Sequence, residues 1–327
     1  MISHDILMSS LPKRHEPIAD LLRGRRLHYL DLPFYTNVGD LLIMLGTLRF
    51  LERAKLPVSR MGMYFNYDPA WASPDDAIVF QGGGNLGDIY VPFQRFRERV
   101  VAACPYNRIV ILPQTIHFIE DACYRRCCRL FSRHPDLHIC VRDERSALLA
   151  QEMTPNVYLM PDMAHQLWPV QAGQAWQSAG TLYLRRRDRE SRAAAFEAGE
   201  ATDWDDLVGK HWVFFLSEIA ERCMTHAQRL GMNKAFSQLE AQWWIGVAQR
   251  FAGKAIAHFS RYERVESDRL HAHILACLMS MPNTIHDNSY RKNSSYITAW
   301  TQRSPLVSLV GEMSPAESEG QAHEAVA

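Results

Sequence analysis

The sequence lacks an excess of charge of either sign. Lysine and arginine together number 36, aspartate and glutamate also number 36, and the formal net charge at pH 7 is zero. A protein without a global electric field does not gather nucleic acid or anionic lipids by long-range attraction. We therefore expect no nucleic-acid partner, and any bound anion must be held by a local cluster of basic groups.

Long apolar runs and paired cysteines are also missing. The N-terminal stretch MISHDILMSSLPKRHE has no continuous apolar segment like that of a signal peptide. No run approaches the ~18 residues that a membrane-spanning helix needs. The seven cysteines are odd in number and scattered, which is typical of reduced thiols. Cys123 and Cys127 lie one helical turn apart, but no second pair completes a zinc site. These absences predict a cytoplasmic protein without a metal.

The first half of the chain alternates short apolar runs with helical patterns. Strands are predicted at 26–32, 60–65, 76–81, 108–112, 137–142 and 156–160. Helices are predicted at about 40–54, 91–103, 120–133 and 143–153. Such alternation favours a parallel sheet with helices on both faces.

A second alternating set follows a Gly/Gln/Ser/Ala-rich stretch at 169–180, which we interpret as a linker. Its strands are predicted at 180–187, 211–215, 254–259 and 283–287, and its helices at about 217–230, 235–252, 267–280 and 289–301. The predicted fold class is α/β, with two Rossmann-like domains facing across a cleft. The expected boundaries are 1–172 for the N-terminal domain, 173–310 for the C-terminal domain and 311–327 for a flexible tail.

Two loops of the first half place polar groups at the carboxyl ends of strands, where ligands of such sheets bind. In FYTNVGD, Asn37 and Gly39 suit a tight turn, and Asp40 suits the first turn of the next helix. Helix capping alone, without a role in ligand binding, would also explain these residues. In LPQTIHF, Gln114 and His117 are expected on the cleft side.

A glycine-rich loop, QGGGNLGD at 81–88, satisfies the spacing G-x-G-x-x-G. A dinucleotide site also needs an acidic residue at the end of the next strand, and that strand ends in Pro-Gln-Thr. We therefore expect no NAD. Glycines such as Gly83 and Gly84 are expected to let backbone approach a ligand closely, with Asn85 and Asp88 available to bind hydroxyls.

The second half carries four arginines in YLRRRDRE, residues 183–190. Strand alternation would direct Arg185 and Arg187 to one face and Arg186 to the other. A planar guanidinium fits a carboxylate or a phosphate, and two of them could hold a dianion. A solvated charged edge would have the same composition.

The stretch SDRLHAHILACLMS, residues 267–280, predicts a buried helix with polar chemistry at its start. Ser267 suits the N-cap, so the helix N-terminus, Arg269 and His271 would form a compact anion site. His271 could also carry a proton, because the reference pKa of histidine is about 6.5. His273 points to a different face and is predicted to be structural; residues two apart on a helix diverge, which argues against a metal pair.

Eight motifs, taken in order, resemble the polysaccharide pyruvyl transferases, which move pyruvate from phosphoenolpyruvate onto sugar hydroxyls as a cyclic ketal. They cover roughly residues 30–300 and are NVGD, FQGGGNLGD, LPQTIHF, VRDERS, PDMAH, LRRRDRE, SDRLHAHILA and DNSYRKN. The resemblance implies a fold like that of GT-B glycosyltransferases. It also implies an acceptor that is an oligosaccharide or a lipid-linked glycan, which would bring the protein to the inner face of the membrane by peripheral association. Neither the motifs nor the composition indicate an oligomeric state.

The resemblance further implies residue roles. Arg269, Leu270 and His271 would bind phosphoenolpyruvate, with Arg185 as the best match for an assisting arginine and Arg186 or Arg187 as alternatives. His117 would lie on the acceptor side.

One motif departs from the family pattern. DNSYRKN has Tyr-Arg-Lys where Tyr-Gly-Lys is expected, although Lys292 is kept to meet an anion. Ketal formation needs a general acid and a general base. His271 would hold the phosphate and deliver a proton, and Asp40, Asp88 or His117 would act as base or hydroxyl ligand; the sequence does not choose among the three.

Two other functions fit the same sequence. A glycosyltransferase using a nucleotide sugar would share the cleft and the basic second half, and a non-catalytic sugar- or anion-binding protein would share the binding groups. No cofactor is expected, because phosphoenolpyruvate is a substrate. Four tryptophans could stack on sugar rings, namely Trp71, Trp168, Trp243 and Trp244, although most tryptophans are simply core residues.

Overall fold

The computed structural model contains two parallel β-sheets with helices packed around them. The residues that it describes are 2–171, 180–186, 202–208, 219, 222–223, 232–287 and 292–310. The predicted strand at 211–215, the predicted tail, and most of the predicted linker and of the helix at 217–230 therefore lie outside the described residues. The boundary between residues 172 and 173 stays a prediction.

The first sheet has seven strands. They are β1 (Leu27–Leu30), β2 (Val58–Gly62), β3 (Ala77–Phe80), β4 (Gly83–Gly87), β5 (Arg108–His117), β6 (Leu137–Val141) and β7 (Val157–Leu159). Their order is β2-β1-β3-β5-β6-β7, with β4 paired to β5, and every pair is parallel. The chain leaves β1 toward one edge and returns on its other side at β3. This reversal opens a crevice at the carboxyl ends of β1 and β3, where ligands of such sheets bind.

Six helices accompany this sheet. They are α1 (His4–Ser10), α2 (Glu16–Leu22), α3 (Val38–Arg53), α4 (Val91–Ala103), α5 (Asp121–Phe131) and α6 (Glu144–Gln151). Short 3-10 turns occupy Pro12–His15, Pro69–Trp71 and Met163–Leu167. The predicted strands and helices of the first half are confirmed to within a few residues, apart from the longer β5, because strands buried on both faces are continuous apolar runs. The helices α1 and α2 were not predicted.

The second sheet has four described strands, again all parallel. They are β8 (Thr181–Leu184), β9 (Arg264–Ser267), β10 (Asn283–His286) and β11 (Val307–Val310), in the order β11-β10-β9-β8. Its described helices are α7 (Trp204–Val208), α8 (Asn233–Phe259), α9 (Leu270–Leu278) and α10 (Lys292–Trp300). A mixed α/β fold with parallel sheets flanked by helices was therefore predicted correctly.

The strand predicted at 254–259 is wrong, because these residues form the last turns of α8. Phe251, Ala255 and Phe259 are four residues apart, lie on one side of the helix and are all buried. A short apolar run cannot be assigned to helix or strand by its composition, and the spacing over the longer window decides. The strand at this place in the sheet is β9, whose alternation of charged and small residues concealed it.

A continuous apolar core joins the two sheets. It runs from the strands of the first sheet through α3 to α8, α9 and the second sheet, while a separate core lies under α4 and α5. Trp244 is fully buried in the joint core, and its indole Nε1 donates to the carbonyl oxygen of Pro33 at 2.5 Å. Full burial of each large apolar side chain stabilises the fold by about 1.5–3 kcal/mol. Among the helices of the described part, none is both long and apolar enough to span a membrane.

Candidate active site

A cavity of about 260 Å³ lies where the carboxyl ends of the two sheets meet. Its walls come from the loop after β1 with the start of α3, from strand β4 and from the residue after β6 in the first sheet, from the segments after β8 and β9 of the second, and from the starts of α4 and α7. The lining residues are Tyr35, Asn37, Asp40, Gly84, Asn85, Tyr90, Phe93, Arg142, Arg186, Trp204, Arg269, Leu270 and His271.

The loop after β1 fixes a carboxylate at the start of α3. Asn37 is the N-cap of this helix: its Oδ1 accepts the N–H of Gly39 at 3.1 Å, and its Nδ2 donates to Asp40 Oδ2 at 2.8 Å. Tyr35 also hydrogen-bonds Asp40. Burial, together with the negative charges of Asp40 and Asp31, holds the pKa of Tyr35 well above its usual range, so its hydroxyl stays protonated.

The glycine-rich segment forms strand β4, whereas a loop was predicted. Gly83 has φ +128°, a conformation that L side chains rarely adopt, and a Cβ there would lie 3.4 Å from Asp40 Oδ1. The neighbouring Gly84 and Asn85 line the cavity. This backbone can pass close to the Asp40 carboxylate because it carries no side chains at 82–84.

Asn85 is held from behind by two side chains. Arg97 Nη2 donates to Asn85 Oδ1 at 2.6 Å, and Gln114 Nε2 approaches the same oxygen at 3.3 Å. Arg97 is in turn ion-paired with the buried Asp31. Burial raises the pKa of Asp31 to about 6, although the positive charge of Arg97 opposes the shift. Gln114 is therefore a support for the cavity wall and does not line it.

The polar start of α9 differs from the predicted cap. Ser267 is the last residue of β9; its hydroxyl donates to the carbonyl of Leu184 at 2.5 Å and accepts the N–H of Arg269 at 3.0 Å. Arg269 is the N-cap, and the helix begins at Leu270. The first N–H groups of a helix have no intrahelical acceptor, so those of Leu270 and His271 are available beside the cavity.

Two arginines of the second sheet line the cavity beside this helix end. Arg269 Nη2 donates to Asp203 Oδ2 at 2.7 Å, and its Nε lies 2.5 Å from Asp203 Oδ1. Arg186 is buried, and its backbone N–H donates to Asp268 Oδ1 at 2.8 Å. The pKa of Asp268 is raised because burial outweighs the nearby arginines.

Of the two arginines of this segment that the structure describes, Arg186 lines the cavity and Arg185 does not. Strand β8 ends at Leu184, so the alternation of faces that was predicted for residues 185–187 does not apply there. Arg187 lies outside the described residues.

His271 belongs to a buried polar chain at the floor of the cavity. Its Nε2 lies 3.4 Å from Asp162 Oδ2, and Arg142 Nη1 donates to the same oxygen at 2.5 Å. Arg142 Nε donates to Thr115 Oγ1 at 2.9 Å. Burial alone would raise the pKa of Asp162, but hydrogen bonding to His271 and the charges of His271 and Arg142 outweigh it, and the pKa falls well below its usual range. Asp162 is therefore ionised.

The first turn of α3 packs directly on the His271 ring. A Cβ added to Gly39 would lie only 2.5 Å from His271 Nδ1 and 2.7 Å from its Cβ. Glycine is thus required here by the close approach of the two helix starts. His271 is confined between this turn and Asp162, and its side chain is only 11 % exposed.

An aromatic wall, which we define as Tyr35, Tyr90 and Phe93, lines another part of the cavity. Phe93 meets Tyr35 edge to face at a centroid distance of 5.9 Å, and it meets Tyr90 at 6.5 Å. Tyr90 is 38 % exposed, so the wall reaches solvent. The cavity therefore combines a basic, hydrogen-bonding end with an apolar aromatic one.

The tryptophans considered for sugar stacking do not line the cavity. Trp244 is fully buried in the core, and Trp71 packs on Tyr67 at 5.6 Å. The tryptophan that does line it is Trp204, which stacks on Phe259 at a centroid distance of 5.8 Å. No motif indicated a role for Trp204, because it is separated along the chain from the motifs quoted above.

The structure brings most of the predicted site residues together, with seven of them lining the cavity: Asn37, Asp40, Gly84, Asn85, Arg269, Leu270 and His271. Asp88 is elsewhere: its two carboxylate oxygens accept the N–H groups of Ile119 and Glu120 at 2.7 and 2.8 Å. His117 ends β5 and, like Gly83, is outside the lining. The side chain of Lys292 lies outside the described residues.

Sequence reasoning missed Arg142 and Asp162. Both lie in motifs that the family resemblance rests on, VRDERS and PDMAH, but no role followed from the letters alone. Their proximity depends on the pairing of β6 with β7, after which the two side chains emerge at the same edge of the sheet. Within the described residues, no three His, Cys, Asp or Glu side chains are grouped so that they could hold a metal ion.

Comparisons with known proteins agree with the motifs. The family profile described as polysaccharide pyruvyl transferase matches residues 37–290. EpsO of Bacillus subtilis (strain 168), named as a candidate pyruvyl transferase, is 37% identical over 318 residues, which span 95% of this chain and 97% of EpsO. Pyruvyl transferase 1 of Schizosaccharomyces pombe is 24% identical, over 84% of this chain and 70% of that protein.

A solved structure shares the fold. The crystal structure of an uncharacterized Klebsiella pneumoniae protein superposes with a TM-score of 0.58 at 20% identity, covering 92% of this chain and 98% of the other. At this identity the likeness concerns the fold alone. The match to the family profile and the 37% identity to EpsO over nearly the whole length decide membership. The chain belongs to the polysaccharide pyruvyl transferase family.

Proposed function

We propose that this pyruvyl transferase takes pyruvate from phosphoenolpyruvate and joins it to two hydroxyls of a sugar in a polysaccharide or its lipid-linked repeat unit, forming a ketal. The observation that carries the proposal is the cavity itself. One end gathers three arginines, His271 and the start of α9, and the other end is aromatic. A small dianionic donor and a carbohydrate acceptor are the two ligands that suit these two ends.

The basic end fits the donor. Arginine forks and a helix N-terminus are the groups that bind phosphate in many proteins. Two of the three guanidiniums are paired with carboxylates, Arg142 with Asp162 and Arg269 with Asp203. The third arginine, Arg186, lies close enough to Asp268 for its charge to act on that carboxylate, which also accepts its backbone N–H. Binding therefore depends on the direction of N–H groups more than on excess charge.

The aromatic wall fits the acceptor. Aromatic faces bind the apolar faces of sugar rings, and Tyr and Trp also offer a polar group at the edge. Asp40 lies between this wall and the basic end, held by Asn37 and Tyr35. Its carboxylate can accept the proton of an attacking hydroxyl.

The reaction needs one proton added to carbon and one removed from each hydroxyl. A proton adds to the methylene carbon of phosphoenolpyruvate, a sugar oxygen bonds to C2, the C2–O bond to phosphate breaks, and a second sugar oxygen bonds to C2. One of the two hydroxyl protons leaves with the phosphate, and the other replaces the proton spent on carbon. We assign the proton delivery to His271 and the role of base to Asp40. The sequence offered four candidates, and only these two line the cavity, whereas Asp88 and His117 do not.

The same proposal includes a GT-B-like arrangement, with each parallel sheet forming one Rossmann-like unit and the cavity between them. The order of strands in the first sheet and the position of the cavity at the carboxyl ends support it. Family membership favours pyruvyl transfer over glycosyl transfer from a nucleotide sugar.

The first experiment measures thermal unfolding with phosphoenolpyruvate, UDP-sugars, GDP-sugars and NAD in parallel. A ligand at 100 times its dissociation constant adds about 2.7 kcal/mol of stability, which raises the unfolding midpoint measurably. We expect a rise with phosphoenolpyruvate only. A rise with a nucleotide sugar alone would contradict the proposed donor.

Two histidine variants test the assignment within the cavity. His271→Ala should lose the stabilisation by phosphoenolpyruvate and all pyruvyl transfer, measured as release of inorganic phosphate in the presence of a glycan acceptor. His117→Ala should keep the stabilisation by the donor, because His117 is outside the cavity lining. A fully active His271→Ala protein would overturn the assignment.

A further inference from the structure

Arg142 is a buried arginine whose hydrogen bonds are incomplete. Its Nε donates to Thr115 and its Nη1 to Asp162, but Nη2 has no acceptor among the described residues. A buried charged donor without an acceptor is costly, and such groups in folded proteins are normally satisfied. Because Arg142 also lines the cavity, a ligand oxygen is the acceptor that would complete it.

The position of Arg142 indicates which part of the donor it would meet. Arg186, Arg269 and the N–H groups at the start of α9 come from the second sheet and form a site suited to phosphate. Arg142 follows β6 of the first sheet and adjoins His271 through the shared oxygen of Asp162. Phosphoenolpyruvate carries a second anionic group, the carboxylate, on the carbon that bears the phosphate oxygen.

We infer that Arg142 binds the carboxylate of the donor, so that phosphoenolpyruvate is held between the two sheets. This rests on the proposed function. Asp162 fixes the Arg142 guanidinium relative to the His271 ring, because its Oδ2 contacts both Arg142 Nη1 and His271 Nε2. The carboxylate, C2 and the methylene carbon then lie beside His271, which is the group assigned to deliver the proton.

The test compares three probes on the intact chain: phosphoenolpyruvate, inorganic phosphate, and vinyl phosphate, which is the enol phosphate without the carboxylate. Arg142→Lys keeps a positive charge beside Asp162 but has one nitrogen in place of three. We expect its dissociation constant for phosphoenolpyruvate to rise at least about tenfold, as for a lost hydrogen bond to a charged group. Its affinity for inorganic phosphate and vinyl phosphate should be unchanged.

Arg108→Lys is the matched control. Arg108 is the first residue of β5, so it lies at the amino ends of the strands, whereas the cavity lies at their carboxyl ends. It pairs with Asp136 and does not line the cavity. Binding of all three probes should be as in the wild type.

The outcomes separate the inference from the function that it rests on. If the wild type does not bind phosphoenolpyruvate, the proposed donor fails. Two results with a wild type that binds phosphoenolpyruvate would refute only the carboxylate assignment and leave the proposed donor intact. In the first, Arg142→Lys binds phosphoenolpyruvate as tightly as the wild type does. In the second, its affinities for inorganic phosphate and vinyl phosphate fall as much as its affinity for phosphoenolpyruvate. If Arg142→Lys does not unfold cooperatively, Thr115→Val replaces it; this variant removes the acceptor that orients Arg142, and it should weaken phosphoenolpyruvate binding alone.

Discussion

His271 contacts two distant parts of the chain through one ring. Nε2 faces Asp162 Oδ2 at 3.4 Å, and the other side of the ring rests against the first turn of α3. Asp162 and Arg142 form a pair in which the two side chains are at most 1 % exposed. A buried pair of this kind is strongly destabilised when one partner is removed, because the other charge is left uncompensated.

The first residue-scale prediction concerns this pair. Asp162→Asn should lower the free energy of unfolding at pH 7 by about 3–5 kcal/mol, since it leaves the Arg142 charge buried and unpaired. Asp136→Asn, in the partly exposed pair with Arg108, should cost about 1 kcal/mol or less. Urea unfolding of the two variants and the wild type measures both values.

The same pair makes a prediction about pH. Because the pKa of Asp162 is depressed in the folded state, its contribution is present above the unfolded-state pKa and is lost as pH falls. The difference between wild type and Asp162→Asn should therefore be constant from about pH 7 to 5 and shrink below about pH 4. A difference that grows on acidification would contradict an ionised Asp162.

A third residue-scale prediction separates neighbouring arginines. Arg186→Ala should weaken phosphoenolpyruvate binding by at least about tenfold, because Arg186 lines the cavity. Arg185→Ala should leave the affinity within about twofold of the wild-type value. Isothermal titration of both variants gives the comparison, and the reverse order would favour the assignment made from the sequence.

At the scale of elements, the starts of α3 and α9 touch each other at Gly39 and His271. The two helices follow β1 of the first sheet and β9 of the second, so this contact joins the carboxyl ends of both sheets. Thr36 Oγ1 adds a hydrogen bond to Asp205 Oδ1 at 2.7 Å. The geometry of the cavity therefore depends on how closely two helix ends can approach.

The element-scale prediction is tested with two glycines in helices. Gly39→Ala would place its Cβ 2.5 Å from His271 Nδ1, so the His271 ring or α3 must move, and phosphate release should fall at least about a hundredfold. Gly253→Ala is the control: nothing lies within 4 Å of its Cβ, and alanine should stabilise α8 by up to about 1 kcal/mol. Equal activity of the two variants would show that the close approach of Gly39 to His271 does not matter for catalysis.

Elements whose sequence carries its own period were predictable. β1, β3 and β6 are apolar runs, and α3 and α6, which follow β1 and β6, were predicted within a few residues. By contrast, the sequence of β4 predicts a loop, because a run of glycines has no side chains whose pattern could reveal a strand.

The site was only partly predictable, for a related reason. Arg269 and His271 stand out because charge is unexpected at the start of an apolar helix. Arg142 and Asp162 become partners only through the pairing of β6 with β7, and no local pattern encodes that contact. Asp88 was a reasonable candidate by position, but its oxygens are used to hold the loop after β5.

At the scale of the whole molecule, several histidines are buried in the neutral form. Burial lowers the pKa of His15, His28 and His273 to about 4 and that of His165 to about 3. Histidine in the unfolded chain titrates near 6.5, so unfolding takes up protons at mildly acidic pH. The pKa of Asp31 is raised to about 6, so its carboxyl group releases a proton on unfolding below that pH. Over part of this pH range it offsets the proton uptake of one of the four histidines.

The stability of the protein should therefore fall between about pH 7.5 and 5.5. Each histidine with a depressed pKa contributes stability that is present above pH 6.5 and is lost as pH falls, with a slope of up to about 1.4 kcal/mol per pH unit. Urea unfolding at pH 7.5, 6.5 and 5.5 measures the total slope. His273→Gln should reduce this slope by the contribution of one histidine. A free energy of unfolding that does not change with pH in this window would contradict the presence of buried neutral histidines.

The division of the cavity between two sheets has a consequence for how such a protein can diversify. The aromatic wall belongs to segments after β1 and β4, whereas Arg186, Arg269 and His271 follow β8 and β9. Exchange of residues 88–93 would alter one wall and leave the other in place. On the proposed function, the aromatic wall holds the acceptor, so substitutions in one short segment would change the sugar that is modified while the donor end is retained. The same segment is therefore the place to begin when redirecting the protein to a new glycan.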